Sequence, residues 1–255
     1  MTPPLWRESR IGLETAALLR SPVWRGDGLE DGRGRPALLI PGFLAGDDSL
    51  SLMTRWLRRT GHRTARAGVR SNVACSGAAL PKIERRLEAL VERQGQPAAI
   101  IGQSRGGTFA KVLAQMRPEL VSGIVTLGAP LSHQLAVHPL VKLNVIAVGA
   151  LGTLGAPGFF RHSCLRGHCC AEFRDALERP LDRRVGFVSI YSRSDGICDW
   201  RACTAPEAET VEVRSSHMGM AVHKDVYAAI AAALPGFDRP ARRRPAKVTQ
   251  LRTAA

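Results

Sequence analysis

Residues 102–106 read Gly-Gln-Ser-Arg-Gly and place a serine between two glycines at the end of an apolar run. The run spans residues 97–101, and a stretch of helical character, residues 107–116, follows at once. A G-x-S-x-G sequence between a strand and a helix is typical of a nucleophile elbow, a sharp turn that exposes the serine oxygen. The two glycines provide the small residues that such a close approach of backbones requires. We therefore predict that Ser104 is a nucleophile.

A serine hydroxyl is a poor nucleophile at neutral pH and needs a base within hydrogen-bonding reach. Of the seven histidines, His217 is the best candidate, because it follows the last predicted strand and precedes the last predicted helix. A loop at that point can bring an imidazole to the end of the elbow strand. His223 is the alternative base, but we expect it to fall within the final helix and to face solvent.

The base needs an acid behind it that fixes its orientation. Asp195 follows the apolar run 185–191 after a short polar stretch, which places it at the carboxyl end of the penultimate strand. Asp199 is the alternative, and the dipeptide Asp195-Gly196 could also be no more than a turn. The order serine, aspartate, histidine along the chain favours Asp195 as the orienting acid.

A tetrahedral intermediate needs backbone donors for its oxyanion. One donor should be the N–H of Arg105, at the start of the elbow helix, where the helix dipole adds to the effect. The other should come from the loop after the strand 37–40, with the N–H of Phe43 as the first candidate and Leu44 as the next. The Arg105 side chain could bind an anionic substrate group, but it more commonly pairs with a neighbouring acid.

Apolar strand-like runs alternate with amphipathic stretches along most of the chain. Such alternation predicts an α/β fold with a mostly parallel central sheet flanked by helices, and catalytic groups gathered at the carboxyl ends of the strands. The predicted strands are 37–40, 64–69, 97–101, 121–127, 185–191 and 210–213, and the predicted helices are 5–20, 48–60, 81–94, 107–116 and 221–234.

Several of these segments together resemble the α/β-hydrolases of the lipase and esterase kind, particularly the actinobacterial ones. The resemblance covers roughly residues 34–234. Two residues depart from it: Gln103 stands where a histidine is frequent before the serine, and Pro41 where many lipases carry a histidine. The matching segments are 38–43 (LLIPGF), 46–47 (GD), 102–107 (GQSRGG), 127–131 (LGAPL), 194–197 (SDGI) and 216–220 (SHMGM).

The resemblance implies an α/β-hydrolase domain over residues 36–235, with a lid or cap insertion at about 131–183, after an N-terminal helix and loop at 1–35. It implies a serine hydrolase that cleaves small-molecule or lipid carboxylic esters through an acyl-enzyme, with no metal and no organic cofactor. An acyltransferase with the same triad, or a non-catalytic binding protein on the same fold, is the alternative.

The segment 135–160 is apolar and rich in glycine, without a clean polar face. Its position between two predicted strands places it above their carboxyl ends and over Ser104. A segment that is apolar on most sides must be buried or meet an apolar ligand. We therefore expect it either to line an acyl pocket or to be a plain core helix.

The six cysteines do not predict a disulfide framework, because no secretory signal stands at the start of the chain. Five possible soft ligands fall within nine residues, a density that could bind Zn²⁺, but their spacing matches no standard finger and two of the cysteines are adjacent. We therefore predict a cysteine-rich loop with at most one disulfide and no metal, and a second possible pair at Cys198 and Cys203. The five ligands are His162, Cys164, His168, Cys169 and Cys170.

The formal net charge is +14, and much of the basic charge lies in the last twenty residues. Residues 236–255 are predicted to be a disordered basic tail, with weak contact to an anionic membrane surface as one possible role. No nucleic-acid-binding motif accompanies the charge, so no specific nucleic acid is expected. Residues 143–160 lack charge, but their glycines do not suit a transmembrane helix. We expect a cytoplasmic protein, possibly peripheral to a membrane.

Overall fold

The computed structural model describes residues 5–238 and 248–250. A seven-stranded sheet forms its centre, and every neighbouring pair of strands is parallel. The strand order is β2-β1-β3-β4-β5-β6-β7. The strands are β1 (Pro36–Ile40), β2 (Arg63–Arg66), β3 (Ala98–Gln103), β4 (Val121–Leu127), β5 (Gly186–Tyr191), β6 (Glu209–Glu212) and β7 (Val248–Gln250).

Helices connect the strands and cover both faces of the sheet. Short 3-10 segments extend several of them, notably Leu5–Arg10 before the first helix and Met218–Val222 before the last. The α-helices are α1 (Ile11–Arg20), α2 (Pro22–Arg25), α3 (Ser51–Arg59), α4 (Ser76–Gln94), α5 (Arg105–Met116), α6 (Pro139–Thr153), α7 (Ala171–Glu178) and α8 (Lys224–Ala233).

The central strands are buried on both faces, which is why their sequences are continuous apolar runs rather than alternating ones. In β1, Leu38 and Ile40 face a core that holds Phe109 of α5, while Leu39 faces a second core that holds Trp56 of α3. Helices α4, α5 and α7 cover the first core, and α1, α3 and α8 cover the second. This is the predicted α/β architecture.

The starts of two helices differ from the prediction for a reason that the structure shows. Helix α4 begins at Ser76 rather than at residue 81, and Pro81 lies inside it. Proline has no N–H to contribute, but the first turn is held independently, because the Cys75 carbonyl accepts from the N–H groups of Ala78 and Ala79. Helix α8 begins at Lys224 rather than at residue 221, because the preceding segment, Met218–Val222, is a 3-10 helix. This 3-10 helix directly follows the loop 213–217, which contains His217 and is called the His217 loop below.

Helices α6 and α7 and two 3-10 turns lie between β4 and β5, within the range 131–183 that is predicted to be an insertion. Helix α6 is not a core helix: Val148 is buried, but Leu143 and Ile146 are more than half exposed. One side of this apolar helix is therefore partly buried, and the other side exposes apolar side chains to solvent.

The predicted disordered tail lies largely outside the described residues, which exclude 239–247 and 251–255. Within it, Val248–Gln250 is instead a strand that pairs with Thr210–Glu212 of β6. The contact of the tail with a membrane surface, the absence of a specific nucleic-acid partner and the localisation stay predictions. Among the described helices, none combines the length and the apolar character needed to cross a bilayer.

Candidate active site

Ser104 lies at the turn between β3 and α5 with φ 52° and ψ −122°, a backbone conformation that is strained for a residue with a side chain. The neighbouring backbones explain the two glycines. A Cβ atom on Gly102 would collide with the carbonyl oxygen of Gly106, and one on Gly106 would collide with the carbonyl oxygens of Ile40 and Pro41. The elbow is therefore packed so closely that only glycine fits on either side of the serine.

His217 and Asp195 form a buried hydrogen-bonded pair. His217 Nδ1 lies 2.7 Å from Asp195 Oδ2, and Asp195 is 1% exposed. The other carboxylate oxygen accepts from the N–H groups of Ile197 and Cys198 at 2.8 and 2.7 Å. With three donors aimed at it, Asp195 is held in one orientation and presents a single oxygen to the imidazole.

The ionisation of His217 is set by two opposing effects. Burial is the largest single effect and lowers the pKa of His217, but the charge and hydrogen bond of Asp195 and the contact with Cys198 together outweigh it, so the pKa of this imidazole is raised well above its usual value. The Cys198 thiol also contacts the ring, and burial raises the pKa of that thiol to about 12, so it remains neutral. Asp195 therefore stabilises the imidazolium form.

The two alternative residues cap helices. Asp199 accepts from the Arg201 N–H at 3.0 Å and begins a 3-10 helix. His223 was predicted to lie within the final helix, but it precedes that helix. Its Nδ1 accepts from the N–H of Asp225 at 3.2 Å. Both residues follow strand ends, and both are used to satisfy helix termini.

The loop after β1 passes directly against the elbow. A Cβ atom on Gly42 would lie 3.2 Å from Ser104 Cβ, and the next residues, Phe43 and Leu44, line the same cavity as Ser104. Leu44 has φ 60°, which marks a tight turn there. Among the described residues, the N–H groups of Phe43 and Arg105 have no hydrogen-bond acceptor. Both predicted oxyanion donors are thus free.

The Arg105 side chain does not pair with an acid. Its guanidinium donates to the carbonyl oxygens of Asn72 and Ala74 at 2.7 and 2.6 Å and to Ser76 Oγ at 3.0 Å. Burial lowers the pKa of Arg105 to about 10, which leaves it charged at neutral pH. Asn72 in turn donates to the Pro41 carbonyl at 2.7 Å. Arg105 and Asn72 thereby fix the loop that carries Phe43.

Sequence reasoning missed two glutamates of the N-terminal segment. Glu8 accepts from the N–H groups of Gly196, His217 and Met218 at 3.0, 3.0 and 2.9 Å. Glu14 is buried and accepts from the backbone N–H and the hydroxyl of Ser216. The only available signal was two acids, six residues apart, in a predicted amphipathic helix.

Gln103 also contributes to the position of the His217 loop. Its amide donates to the His217 carbonyl oxygen at 3.1 Å. In the lipases and esterases that the chain resembles, a histidine is frequent at this position. In this chain the glutamine at this position holds the backbone of His217.

A cavity of about 750 Å³ opens over the elbow. Ser104 and His217 line it together with apolar side chains of the segment 131–183, including Val141 and Val145 of α6 and Phe173 of α7. Val141 and Val145 are four residues apart and so lie on one face of α6. The cavity is therefore apolar around a polar reaction centre, a typical composition for a small-molecule site.

No protein-family model matches the chain, and no curated protein sequence matches it. Solved structures do match. A Bacillus licheniformis lipase, BlEst2, is 12% identical, with 82% of this chain and 94% of that one covered and a TM-score of 0.59. A metagenomic carboxyl esterase, MGS0156, is 14% identical, with 90% and 91% covered and a TM-score of 0.59. The carboxylesterase CesB of Bacillus subtilis is 13% identical, with 91% and 99% covered and a TM-score of 0.53.

The strand order, the elbow and these similarities establish that the chain has the α/β-hydrolase fold. At this level of identity the similarity concerns the fold alone, and the chemistry has to come from the site.

Proposed function

We propose that this protein hydrolyses carboxylic esters through an acyl-enzyme, with Ser104, His217 and Asp195 as the triad. The observation that carries the proposal is the buried Asp195–His217 hydrogen bond, whose imidazole lines the same largely apolar cavity as the strained Ser104. Turnover of p-nitrophenyl esters, together with covalent labelling of Ser104 by a fluorophosphonate, tests it. A protein that neither turns over such esters nor becomes labelled would contradict it.

In the acylation step, Ser104 Oγ attacks the ester carbonyl carbon while His217 Nε2 takes the hydroxyl proton. The carbonyl π electrons move to the oxygen, and the N–H groups of Phe43 and Arg105 donate to the oxyanion that forms. Collapse of this intermediate breaks the bond to the alkoxy oxygen. His217 returns its proton to that oxygen, so an alcohol leaves and an acyl-serine remains.

In the deacylation step, water attacks the acyl-serine and His217 takes its proton. The second tetrahedral intermediate forms at the same two N–H donors. Its collapse breaks the bond between the carbonyl carbon and Ser104 Oγ, and His217 returns its proton to Oγ, which releases a carboxylic acid and regenerates Ser104 and neutral His217. Asp195 holds Nδ1 protonated throughout, which keeps Nε2 available as the acceptor and stabilises the imidazolium. Asp195 therefore contributes to catalysis through its effect on His217 and does not contact the ester itself.

The apolar cavity suits an ester with a substantial acyl chain. Val141 and Val145 of α6 contribute to its wall, so the 131–183 insertion acts as a lid that shapes the acyl pocket. Each additional buried methylene would stabilise the transition state by about 0.8 kcal/mol, roughly fourfold in kcat/KM, until the pocket is filled.

We expect kcat/KM to rise from acetate through butyrate to octanoate esters. Val145→Trp should reduce turnover of octanoate by tenfold or more and leave acetate nearly unchanged, because the indole would occupy the acyl pocket. Kinetics with p-nitrophenyl esters of graded chain length measure both effects.

The matched control for this prediction is Leu143→Trp, on the same helix but on its exposed face. It should leave the chain-length profile unchanged. A steady fall in kcat/KM from acetate onwards would mean that the pocket is small and that α6 has only a structural role.

Glu8 is proposed as a positioning residue for the His217 loop. Glu8→Gln replaces one carboxylate oxygen by an NH₂ group, which cannot accept from the N–H groups that converge there. A hydrogen bond to a charged acceptor contributes about 1.5–3 kcal/mol, so we expect kcat to fall roughly tenfold or more with little change in KM.

Steady-state kinetics and the melting temperature of the variant test the Glu8 prediction. Glu92→Gln, an exposed acid of α4, is the control and should change neither. A loss of melting temperature with unchanged kcat would assign Glu8 a purely structural role.

A further inference from the structure

Four cysteine sulfurs converge outside the triad. The Sγ atoms of Cys75, Cys164, Cys169 and Cys170 all lie within 4.8 Å of one another. Cys75 directly precedes α4, whereas the other three lie on the two 3-10 turns of the 131–183 insertion. All six cysteines of the chain are free thiols in the structure, including Cys198 and Cys203. The cluster therefore joins two distant segments through four potential soft ligands.

The distances between the sulfur atoms are compatible with a single metal ion bound by all four. Cys75 Sγ lies 3.3 Å from Cys170 Sγ, and Cys169 Sγ lies 3.9 Å from Cys170 Sγ. A tetrahedral Zn²⁺ with Zn–S bonds of about 2.3 Å holds its sulfurs about 3.8 Å apart. We propose that these four cysteines form a Zn²⁺ site with four thiolate ligands.

The ligand set differs from the one that the sequence suggested. His162 is not a member, because its Nε2 lies 2.9 Å from the Ile146 carbonyl oxygen and packs against α6. Cys75, about ninety residues earlier in the chain, takes its place. The adjacent pair Cys169 and Cys170 sits on a 3-10 turn, which directs both sulfurs to the same centre.

The surroundings of the cluster favour a negatively charged centre. The backbone N–H groups of Ala78 and Gly77 lie near the Cys75 and Cys170 sulfurs, respectively, and favour negative charge there. The buried Arg105 guanidinium interacts electrostatically with Cys75, Cys164 and Cys170. Four thiolates around Zn²⁺ carry a net charge of −2, which these N–H groups and the guanidinium offset. Such outer-shell donors are a usual part of a thiolate metal site.

The packing around the cluster also requires the two segments to be in contact. A Cβ atom on Gly77, in the first turn of α4, would collide with the Cys169 carbonyl oxygen. Only glycine at that position lets the turn that carries Cys169 and Cys170 approach α4. The site is thereby formed by tertiary packing rather than by a local finger motif.

The site would have a structural role. Since all four coordination positions are filled by protein sulfur, none remains open for water or substrate. It would attach the 131–183 insertion to the core domain next to the elbow, where Cys164 and Cys170 also line the large cavity. Arg105 links it to Asn72 and hence to the Phe43 loop.

The test is zinc stoichiometry. The full chain is reduced, incubated with Zn²⁺, desalted and analysed by elemental mass spectrometry. We expect one zinc per chain for the wild type, and a drop to below about a tenth for Cys75→Ser and for Cys169→Ser. Cys203→Ser, a buried cysteine outside the cluster, is the control and should keep one zinc. X-ray absorption should give four sulfur neighbours at about 2.3 Å.

Three results would overturn the site. One is reduced, folded wild-type protein that binds no zinc. Another is that Cys75→Ser and Cys169→Ser bind as much zinc as the wild type. The third is disulfides among the four cysteines in protein alkylated at lysis and analysed by peptide mass spectrometry. Because Cys169 is exposed, its serine variant should fold even if the other fails. None of these measurements depends on ester turnover.

Discussion

Ser104→Ala should lower kcat for p-nitrophenyl ester hydrolysis by roughly 10⁴- to 10⁶-fold, the size of effect expected when the nucleophile of a triad is removed. Without Oγ no acyl-enzyme can form, and only the oxyanion donors and the cavity remain to accelerate attack by water. The fold should persist, because alanine removes one exposed oxygen and relieves none of the packing that forces the strained turn. The measurements are kcat and the melting temperature of the variant.

The matched control for this variant is Ser132→Ala, a second serine that lines the same cavity. It should retain wild-type kcat within a few-fold and still react with a fluorophosphonate, whereas Ser104→Ala should not be labelled. Activity that survives in Ser104→Ala at more than a hundredth of the wild-type rate would contradict the proposed mechanism.

Asp195→Asn should lower kcat by about 10⁴-fold. The N–H groups of Ile197 and Cys198 still require an acceptor, so the Asn oxygen turns toward them and its NH₂ group faces His217 Nδ1. Nδ1 must then accept rather than donate, which places the imidazole proton on Nε2. A base protonated at that nitrogen cannot take the proton of Ser104.

The same variant predicts a change in pH dependence. In the wild type, Asp195 raises the pKa of His217, and a general base acts only when unprotonated. The activity should therefore fall as the pH drops through a value above about 6.5, the ordinary pKa of histidine. In Asp195→Asn the charge that raises this pKa is gone and burial still lowers the pKa, so the residual activity should persist to lower pH.

Asp199→Asn is the control for both readouts, because asparagine caps a helix about as well as aspartate. It should leave kcat and the acid limb unchanged. Were Asp199→Asn the more damaging of the two substitutions, the assignment of the orienting acid would be wrong. Profiles of kcat/KM from pH 5 to 9 for the three proteins decide the matter.

The sequence by itself determined the fold and the candidate triad. The apolar runs 37–40 and 121–127 are β1 and β4 nearly to the residue, because a strand buried on both faces needs a continuous apolar run. The elbow was predictable because its demands are local: two glycines, a serine and a strand-to-helix change. In a parallel sheet the carboxyl ends of the strands share one edge. Asp195 and His217 follow predicted strands, so they could be predicted to lie near Ser104.

Contacts between distant segments were decided by the tertiary structure. Glu8 and His217 are about two hundred residues apart, and no property of Glu8 distinguishes it in sequence from an exposed acid. Arg105 gave a similar result: it was expected to bind an anion or pair with an acid, and instead it donates to backbone carbonyls. Such partners depend on which loops the fold brings together.

The cysteines and α6 depended on packing in the same way. Three cysteines of the cluster lie close together in the sequence. The fourth, Cys75, lies between β2 and α4 and completes the cluster in place of the histidines near the other three. Helix α6 has a sequence that is apolar on most sides, yet one face lines the cavity and the other is exposed. The pattern of apolar residues in a segment indicates which surfaces favour burial. The positions of the neighbouring elements determine which of its faces is buried.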